Sequence, residues 1–401
     1  MLFTVLLGII GFLIYFVRVL WVKIKYIFTR GKVDKTKQDR IPILIFAEEK
    51  RYWQVFKPVC EEFNRRGTDV VYWTTSPDDP ALDSGLEHIK CEFIGTGNKA
   101  FAKLNIVNAS VVVSTTPGLD VYQWKRSKSA GCYIHILHGA YDPASYRMFG
   151  ITYYDSILLS GQYQADQVRF LEDKLNTKHK DTELVGIPYM DELKKRVDLL
   201  PPREGSGRTV LLAPSWGPNS IFNKYGTRVL EALTKTGYDI IVRPHPQTFV
   251  SEAKMIGDIM DRFPESDHLH WDRSSDNFDT LSKADILISD FSGIILDFAL
   301  AFDRPVIYAD ITFDPDCYDY YWLDDLPWRI KMLPDIGRQL TEDDLSDIRS
   351  LIDSCIDDPR YSEGREKVRR QTWVNPGEGA VKMADSIIAA RDRLTKEEDV
   401  K

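Results

Sequence analysis

Short apolar runs alternate with amphipathic stretches along most of this chain, and the rhythm starts twice. In the first part, Ile41–Phe46 (IPILIF), Asp69–Trp73 (DVVYW), Ser110–Ser114 (SVVVS), Cys132–Leu137 (CYIHIL) and Ser156–Leu159 (SILL) read as buried strands, with amphipathic helices at Trp53–Arg65 and Gln162–Leu175. Continuous apolar strands separated by helical patterns imply a parallel sheet covered on both faces. Leu199–Arg208 (LLPPREGSGR) interrupts the pattern with Pro and Gly, a boundary signal. The rhythm then restarts. Strands are expected at Thr209–Ala213, Asp239–Arg243, His268–Trp271, Ile286–Ser289 and Val306–Tyr308, and helices at Ser220–Thr236, Ser251–Phe263 and Gly293–Ala301. The tail from Thr341 reads as helical and ends with Val381–Leu394. The expectation is an α/β chain of two Rossmann-like domains facing across a cleft, residues 41–200 and 201–401.

The first 40 residues are different. Residues 1–22 (MLFTVLLGIIGFLIYFVRVLWV) contain one charge, Arg18, and as a helix would run roughly 33 Å, about the hydrocarbon thickness of a bilayer. Lys23, Lys25, Arg30 and Lys32 follow at once, and Trp21 and Tyr26 sit where interfacial aromatics belong. Residues 1–22 are therefore expected to be a transmembrane anchor and 23–40 a basic juxtamembrane linker. The positive-inside rule would put the catalytic body on the cytoplasmic side of the inner membrane, single-pass. The alternatives are a helix lying in the membrane plane and a segment buried in an oligomer.

Charge supports the distinction. Residues 1–40 hold eight Lys/Arg and two Asp, a net +6, which leaves −14 for the other 361 residues against −8 for the whole chain. An acidic body excludes nucleic acid as an expected partner. Five scattered cysteines with no C-x-x-C suggest a reducing compartment.

Ligands of open α/β sheets bind beyond the carboxyl ends of the strands, and three clusters fall there. His138-Gly139-Ala140 ends the strand CYIHIL; the histidine could act as a general base or simply bond a neighbouring carbonyl. His135, within the strand, reads as a core or sheet-face residue. Arg243-Pro244-His245-Pro246 follows DIIVR. Its prolines stiffen the loop, its Arg suits phosphate oxygens, and its His can donate a hydrogen bond or a proton; the plainer alternative is a rigid turn with a paired Arg. Ser289-Asp290-Phe291-Ser292-Gly293 is a strand-to-helix turn, with Ser292 a candidate N-cap and free N–H groups suited to a phosphate. Asp297, five residues on, could bond ribose hydroxyls or face solvent. Ala213-Pro214-Ser215-Trp216 could line a base pocket or pack. His268-x-His270 and Asp314-Pro-Asp316 are weak metal signals, and no metal or cofactor is expected.

In this order the clusters resemble the CDP-glycerol glycerophosphotransferase family, the teichoic-acid polymerases and primases of bacterial walls. The resemblance is carried by His138-Gly139, Arg243-Pro244-His245-Pro246, Ser289-Asp290-Phe291-Ser292, Ala213–Trp216, Asp297-Phe298 and Gly377-Glu378-Gly379-Ala380. It implies a GT-B fold and a metal-independent transfer. It implies that His138 deprotonates the acceptor hydroxyl, and that Arg243 and His245 hold or protonate the donor diphosphate. It implies phosphate binding by Ser289, Asp290, Ser292 and Gly293, and nucleotide or ribose binding by Pro214, Ser215, Trp216 and Asp297. The sequence departs from the family around Leu137 and in Ala140-Tyr141-Asp142-Pro143, so Gly139, Tyr141 and Asp142 are expected to form an acceptor loop of its own type.

The leading expectation is a membrane-anchored transferase (EC 2.7.8 type) moving a polyol phosphate from a CDP-activated donor to a membrane-linked glycan or polymer. The alternatives are a nucleotide-sugar glycosyltransferase, a non-catalytic membrane scaffold and, more remotely, a UDP-sugar epimerase. Oligomeric state is left open.

Overall fold

A computed structural model of the chain describes residues 2–29, 40–202, 207–274, 276–290, 292–309 and 315–399. Residues 30–39 of the expected linker, Phe291 of the Ser-Asp-x-Ser turn and Asp314 of the Asp-x-Asp pair lie outside the described residues, as do the side chains of residues 2–10, 12, 14, 26 (the expected interfacial Tyr26), 28, 29 and 397–399. The chain forms two compact units. The first comprises Met1–Asp191, Asp316–Leu323 and Trp373–Lys401; the second comprises Glu192–Pro315 and Asp324–Thr372.

The first unit is built on β1 (Ile41–Ala47), β2 (Val70–Thr74), β3 (Ile89–Phe93), β4 (Ala109–Ser114), β5 (Ala130–Ile136), β6 (Ser156–Leu159) and β7 (Asp181–Leu184). They form one parallel sheet in the order β3-β2-β1-β4-β5-β6-β7. Alternate residues of β1 point to opposite faces, as strand geometry requires. Ile43 and Ile45 pack with Val55, Phe56 and Val59 of the helix Trp53–Arg65 and with Met383, Ala384 and Ile387 of the last helix, Gly379–Asp399. Leu44 and Phe46 pack with Trp73, Leu104, Trp124 and Tyr133 on the other face.

The second unit repeats the plan with β8 (Thr209–Ala213), β9 (Asp239–Val242), β10 (Leu269–Trp271), β11 (Ile286–Ser289), β12 (Val306–Ala309) and β13 (Gly337–Leu340), in the order β10-β9-β8-β11-β12-β13. All of its pairs are parallel. In both sheets the order reverses beside the first strand, between β1 and β4 and between β8 and β11. Loops that leave the two strands there diverge and open a crevice for ligands. The single helix expected at Ser220–Thr236 is two, Ile221–Tyr225 and Arg228–Leu233, because Gly226 between them takes φ +61°.

The expected span at residues 1–22 needs correction. Leu2–Thr29 is one helix, but among the described residues no helix is long and apolar enough to cross a membrane. Its middle is tied to the first unit. Tyr15 donates to the Asp78 carboxylate at 2.8 Å, and Arg18 pairs with Asp83 at 2.7 Å and donates to the Asp79 carbonyl at 3.0 Å.

Candidate functional site

In the second unit, three loops leave neighbouring strand ends at the point where the order reverses. Leu212 is in register with Val242, and Ala213 with Ser289, so the three strands end level. The loops are stapled to one another. Ser289 Oγ donates to the Ala213 carbonyl at 2.7 Å, and the His245 backbone N–H donates to the Pro214 carbonyl at 3.1 Å. The buried Asp290 carboxylate accepts from the N–H of Ser215 at 2.9 Å and of Ile221 at 3.1 Å. Ser289 and Asp290 thus hold the loops in place. The side chains presented outward differ: Trp216 is 46% exposed, His245 is exposed and Ser292 half-buried.

The Arg243 guanidinium forms an ion pair with Asp272 and donates to the Ser274 carbonyl at 2.8 Å and to Ser274 Oγ at 3.1 Å. Burial alone would raise the Asp272 carboxyl. Hydrogen bonds from Ser274 and Thr280, with the Arg243 guanidinium, hold it down at about 2 instead. Arg243 is therefore a fixed cation with a set orientation. His245 Nδ1 accepts from the Gln247 N–H at 3.1 Å, which places the ring proton of the neutral form on Nε2. The expected N-cap, Ser292, is corrected: Gly293 holds the cap position without a side-chain bond, because the helical turn begins one residue later at Ile294. Asp297 opens a π turn, Asp297–Ala301, in place of a regular helix. Such turns recur at functional sites.

In the first unit, His138 follows β5 and sits among aromatic rings. Tyr141 lies 4.8 Å from it between centroids, Tyr52 5.6 Å and Tyr146 6.3 Å. Burial, and secondarily the Arg51 charge, pushes its imidazole down to about 4, so it is neutral at pH 7 with a lone pair available. Gly139 is required by its neighbour, since a Cβ there would come within 2.5 Å of the Tyr141 ring. Asp142 is buried and accepts from Gln167 Nε2 at 2.9 Å, and the Tyr141 carbonyl accepts from Gln164 Nε2 at 2.7 Å. The helix Gln162–Leu175 therefore shapes this loop, and Asp142 is spent on that task. His135 is fully buried as expected, its ring 4.8 Å from that of Tyr154.

Tyr52, Tyr146, Asp272 and Asp319 carry no motif signal. Asp272 alone had a clue, an acid directly after an apolar strand.

Residues 155–373 match the model of the CDP-Glycerol:Poly(glycerophosphate) glycerophosphotransferase family. No curated protein matches the sequence. Among solved structures, the wall teichoic acid polymerase TagF superposes with a TM-score of 0.57 at 15% identity, covering 94% of this chain and 98% of that one. A variant of TagF soaked with CDPG gives 0.56 at 15%, with the same coverage. The UDP-GlcNAc 2-epimerase of Neisseria meningitidis gives 0.54 at 14% identity, covering 86% and 99%. At these identities the structural matches show the fold, a GT-B-like pair of parallel α/β sheets.

Proposed function

This chain belongs to the CDP-glycerol:poly(glycerophosphate) glycerophosphotransferase family, and we propose that it transfers glycerol phosphate from CDP-glycerol to a hydroxyl of a membrane-linked polymer. The carrying observation is that the matched residues 155–373 contain all three stapled loops at the reversal point of the second sheet. That arrangement suits a nucleotide diphosphate. Arg243 supplies a fixed cation, His245 Nε2–H a donor, and the Ser292-Gly293 turn backbone N–H groups. Trp216 offers an exposed ring to a base, and Asp297 a carboxylate to ribose hydroxyls.

In the proposed reaction, His138 takes the proton of the acceptor hydroxyl. The acceptor oxygen bonds to the donor's β-phosphorus, and the bond from that phosphorus to the bridging oxygen breaks. CMP leaves with the charge that Arg243 and His245 stabilise. The aromatic rings around His138 supply a surface for a polyol chain, and Gly139, Tyr141 and Asp142 shape it.

The helix Leu2–Thr29 is proposed to lie on the membrane surface. Leu13, Phe16, Val17, Leu20 and Trp21 are exposed along it, followed by exposed Lys23 and Lys25, a pattern suited to acyl chains and anionic head groups.

The test is thermal-shift binding with CDP-glycerol, CDP-ribitol, CMP, UDP and UDP-sugars, since a donor that binds the folded state raises its stability. Selective stabilisation by CMP and CDP-glycerol is expected. Selective stabilisation by UDP-sugars would overturn the donor assignment in favour of a glycosyltransferase.

A further inference from the structure

Behind His138 lies a chain of groups for which the transfer reaction gives no account. Tyr146 Oη is 3.4 Å from His138 Nδ1 on one side and 3.1 Å from His135 Nε2 on the other. The phenol ring packs edge-on to His135 at 5.2 Å, and both residues are buried. His135 Nδ1 is also buried and has no hydrogen-bond partner among the described residues. A buried histidine with one orphaned nitrogen, beneath a strand end, is a costly choice where an aliphatic residue would pack.

We propose that Tyr146 is a positioning residue for His138: its phenol holds Nδ1 of His138 and is itself held by His135, so that Nε2 is the nitrogen presented to the acceptor hydroxyl. This rests on the reading of His138 as the general base. The phenol has a single proton. Flanked by two imidazoles, it donates to one and accepts from the other. For His138 to offer a lone pair at Nε2, its proton sits on Nδ1 and is donated to Tyr146, whose own proton goes to His135 Nε2. His135 then carries its proton on the orphaned Nδ1. Its unmet hydrogen bond is thereby explained as the cost of setting the tautomer two groups away. During transfer His138 gains the acceptor's proton at Nε2 and becomes imidazolium, while Nδ1–H stays bonded to the phenol. No proton passes to His135.

Burial supports a neutral relay. It drives the Tyr146 phenol well above its ordinary value and His135 down to about 3. The groups that face the relay are Arg51, Tyr52, Tyr141 and Tyr154, and among the described residues no carboxylate is bonded to either imidazole. A phenol backed by a second histidine therefore takes the orienting place that a carboxylate holds in a Ser-His-Asp triad.

The test uses the full chain with Tyr146→Phe, which keeps the ring and removes the oxygen. Nitrogen NMR of the histidines is read without substrate. The wild type is expected to show His138 protonated on Nδ1, and the variant to lose that preference. With CDP-glycerol as donor and a poly(glycerophosphate) oligomer as acceptor, kcat is expected to fall roughly 10- to 100-fold, the scale of partners that orient a reacting imidazole. KM for CDP-glycerol should change less than about twofold, because the donor does not meet this relay. An Nε2–H tautomer in the wild type, or an unchanged kcat in Tyr146→Phe, overturns the proposal. His138→Ala separates the two levels. If that variant keeps its activity, the base assignment itself falls; if it is inactive while Tyr146→Phe matches wild type, only the relay falls. Should Tyr146→Phe not fold, His135→Gln carries the same test, with wild-type kcat and tautomer as the overturning result.

Discussion

The backbone N–H of Asp319 donates to the carbonyl of Tyr146 at 2.9 Å, and the Asp319 carboxylate accepts from the N–H groups of Phe149 at 2.8 Å and Gly150 at 3.2 Å. One residue of the segment Asp316–Leu323 thus fastens the stretch Tyr146–Gly150 in the middle of the loop between β5 and β6. The carboxylate is 1% exposed, and burial raises it to about 6 despite the two N–H bonds.

A raised carboxyl binds its proton more tightly in the folded state, so folding stability falls as pH rises from about 4 to about 6. Asp319→Asn removes this titration. Relative to that variant, the wild type should lose on the order of 3 kcal/mol between pH 4 and pH 7. Urea unfolding of both proteins across that range checks it; parallel stability curves would refute the assignment.

His138→Ala and His245→Ala should each lower turnover by at least about 100-fold, the usual scale of acid–base groups. Because His138 is neutral down to about pH 4, the acid limb of kcat/KM should lie near 4 rather than 6.5. A steady-state pH profile in which activity halves near pH 6.5 would exclude His138 as the base.

Asp290→Asn should weaken the loop staple at the reversal point, because the amide oxygen cannot replace a carboxylate shared by Ser215 and Ile221. A loss of about 1–3 kcal/mol is expected, together with a raised KM for the donor. Unchanged donor affinity by calorimetry would show that the loop geometry does not matter to binding.

Asp191 is buried and accepts from Trp373 Nε1 at 2.8 Å and from the N–H of Gly377 at 2.7 Å and of Gly379 at 2.9 Å. It caps the start of the helix Gly379–Asp399 and explains Gly379: a Cβ there would meet its carboxylate at 2.7 Å. Asp191→Ala leaves these donors unmet and should cost roughly 3 kcal/mol, read as a lower urea midpoint. A midpoint within error of wild type would contradict the clamp.

Deleting residues 2–29 removes the Tyr15 and Arg18 contacts, which are exposed or half-buried and contribute little stability. The shortened protein should keep its melting temperature within a few degrees and lose affinity for anionic vesicles in a flotation assay. Undiminished flotation would place membrane contact elsewhere.

Most strands that sequence reading found are buried on both sides, such as ILIS at β11 and SVVV within β4; the edge strand β10 (Leu269–Trp271) is an exception, found through its apolar Leu269 and Trp271. Those it passed over are polar and lie at or next to an edge of their sheets: IKCEF at β3, DTEL at β7 and GRQL at β13. A strand with one flank in water needs no apolar run, so its sequence carries little signal. The candidate site shows the same division. His138, Arg243 and His245 stood out because each follows an apolar strand closely. The groups that set their chemistry, Tyr146 for His138 and Asp272 for Arg243, meet them only through the fold.

The helix that completes one face of the first sheet, Gly379–Asp399, is translated after the whole of the second unit. Until residues 373–401 emerge, Ile43, Ile45 and Phe56 lack part of their cover, although they were translated long before them. Domains that fold in order of synthesis release each finished piece early. This chain cannot do so, and its first unit must wait for the second to be translated before it closes. A ribosome stalled between residues 200 and 373 would therefore hold a sticky, unfinished sheet, and chaperone occupancy on this nascent chain should persist until the helix Gly379–Asp399 has emerged.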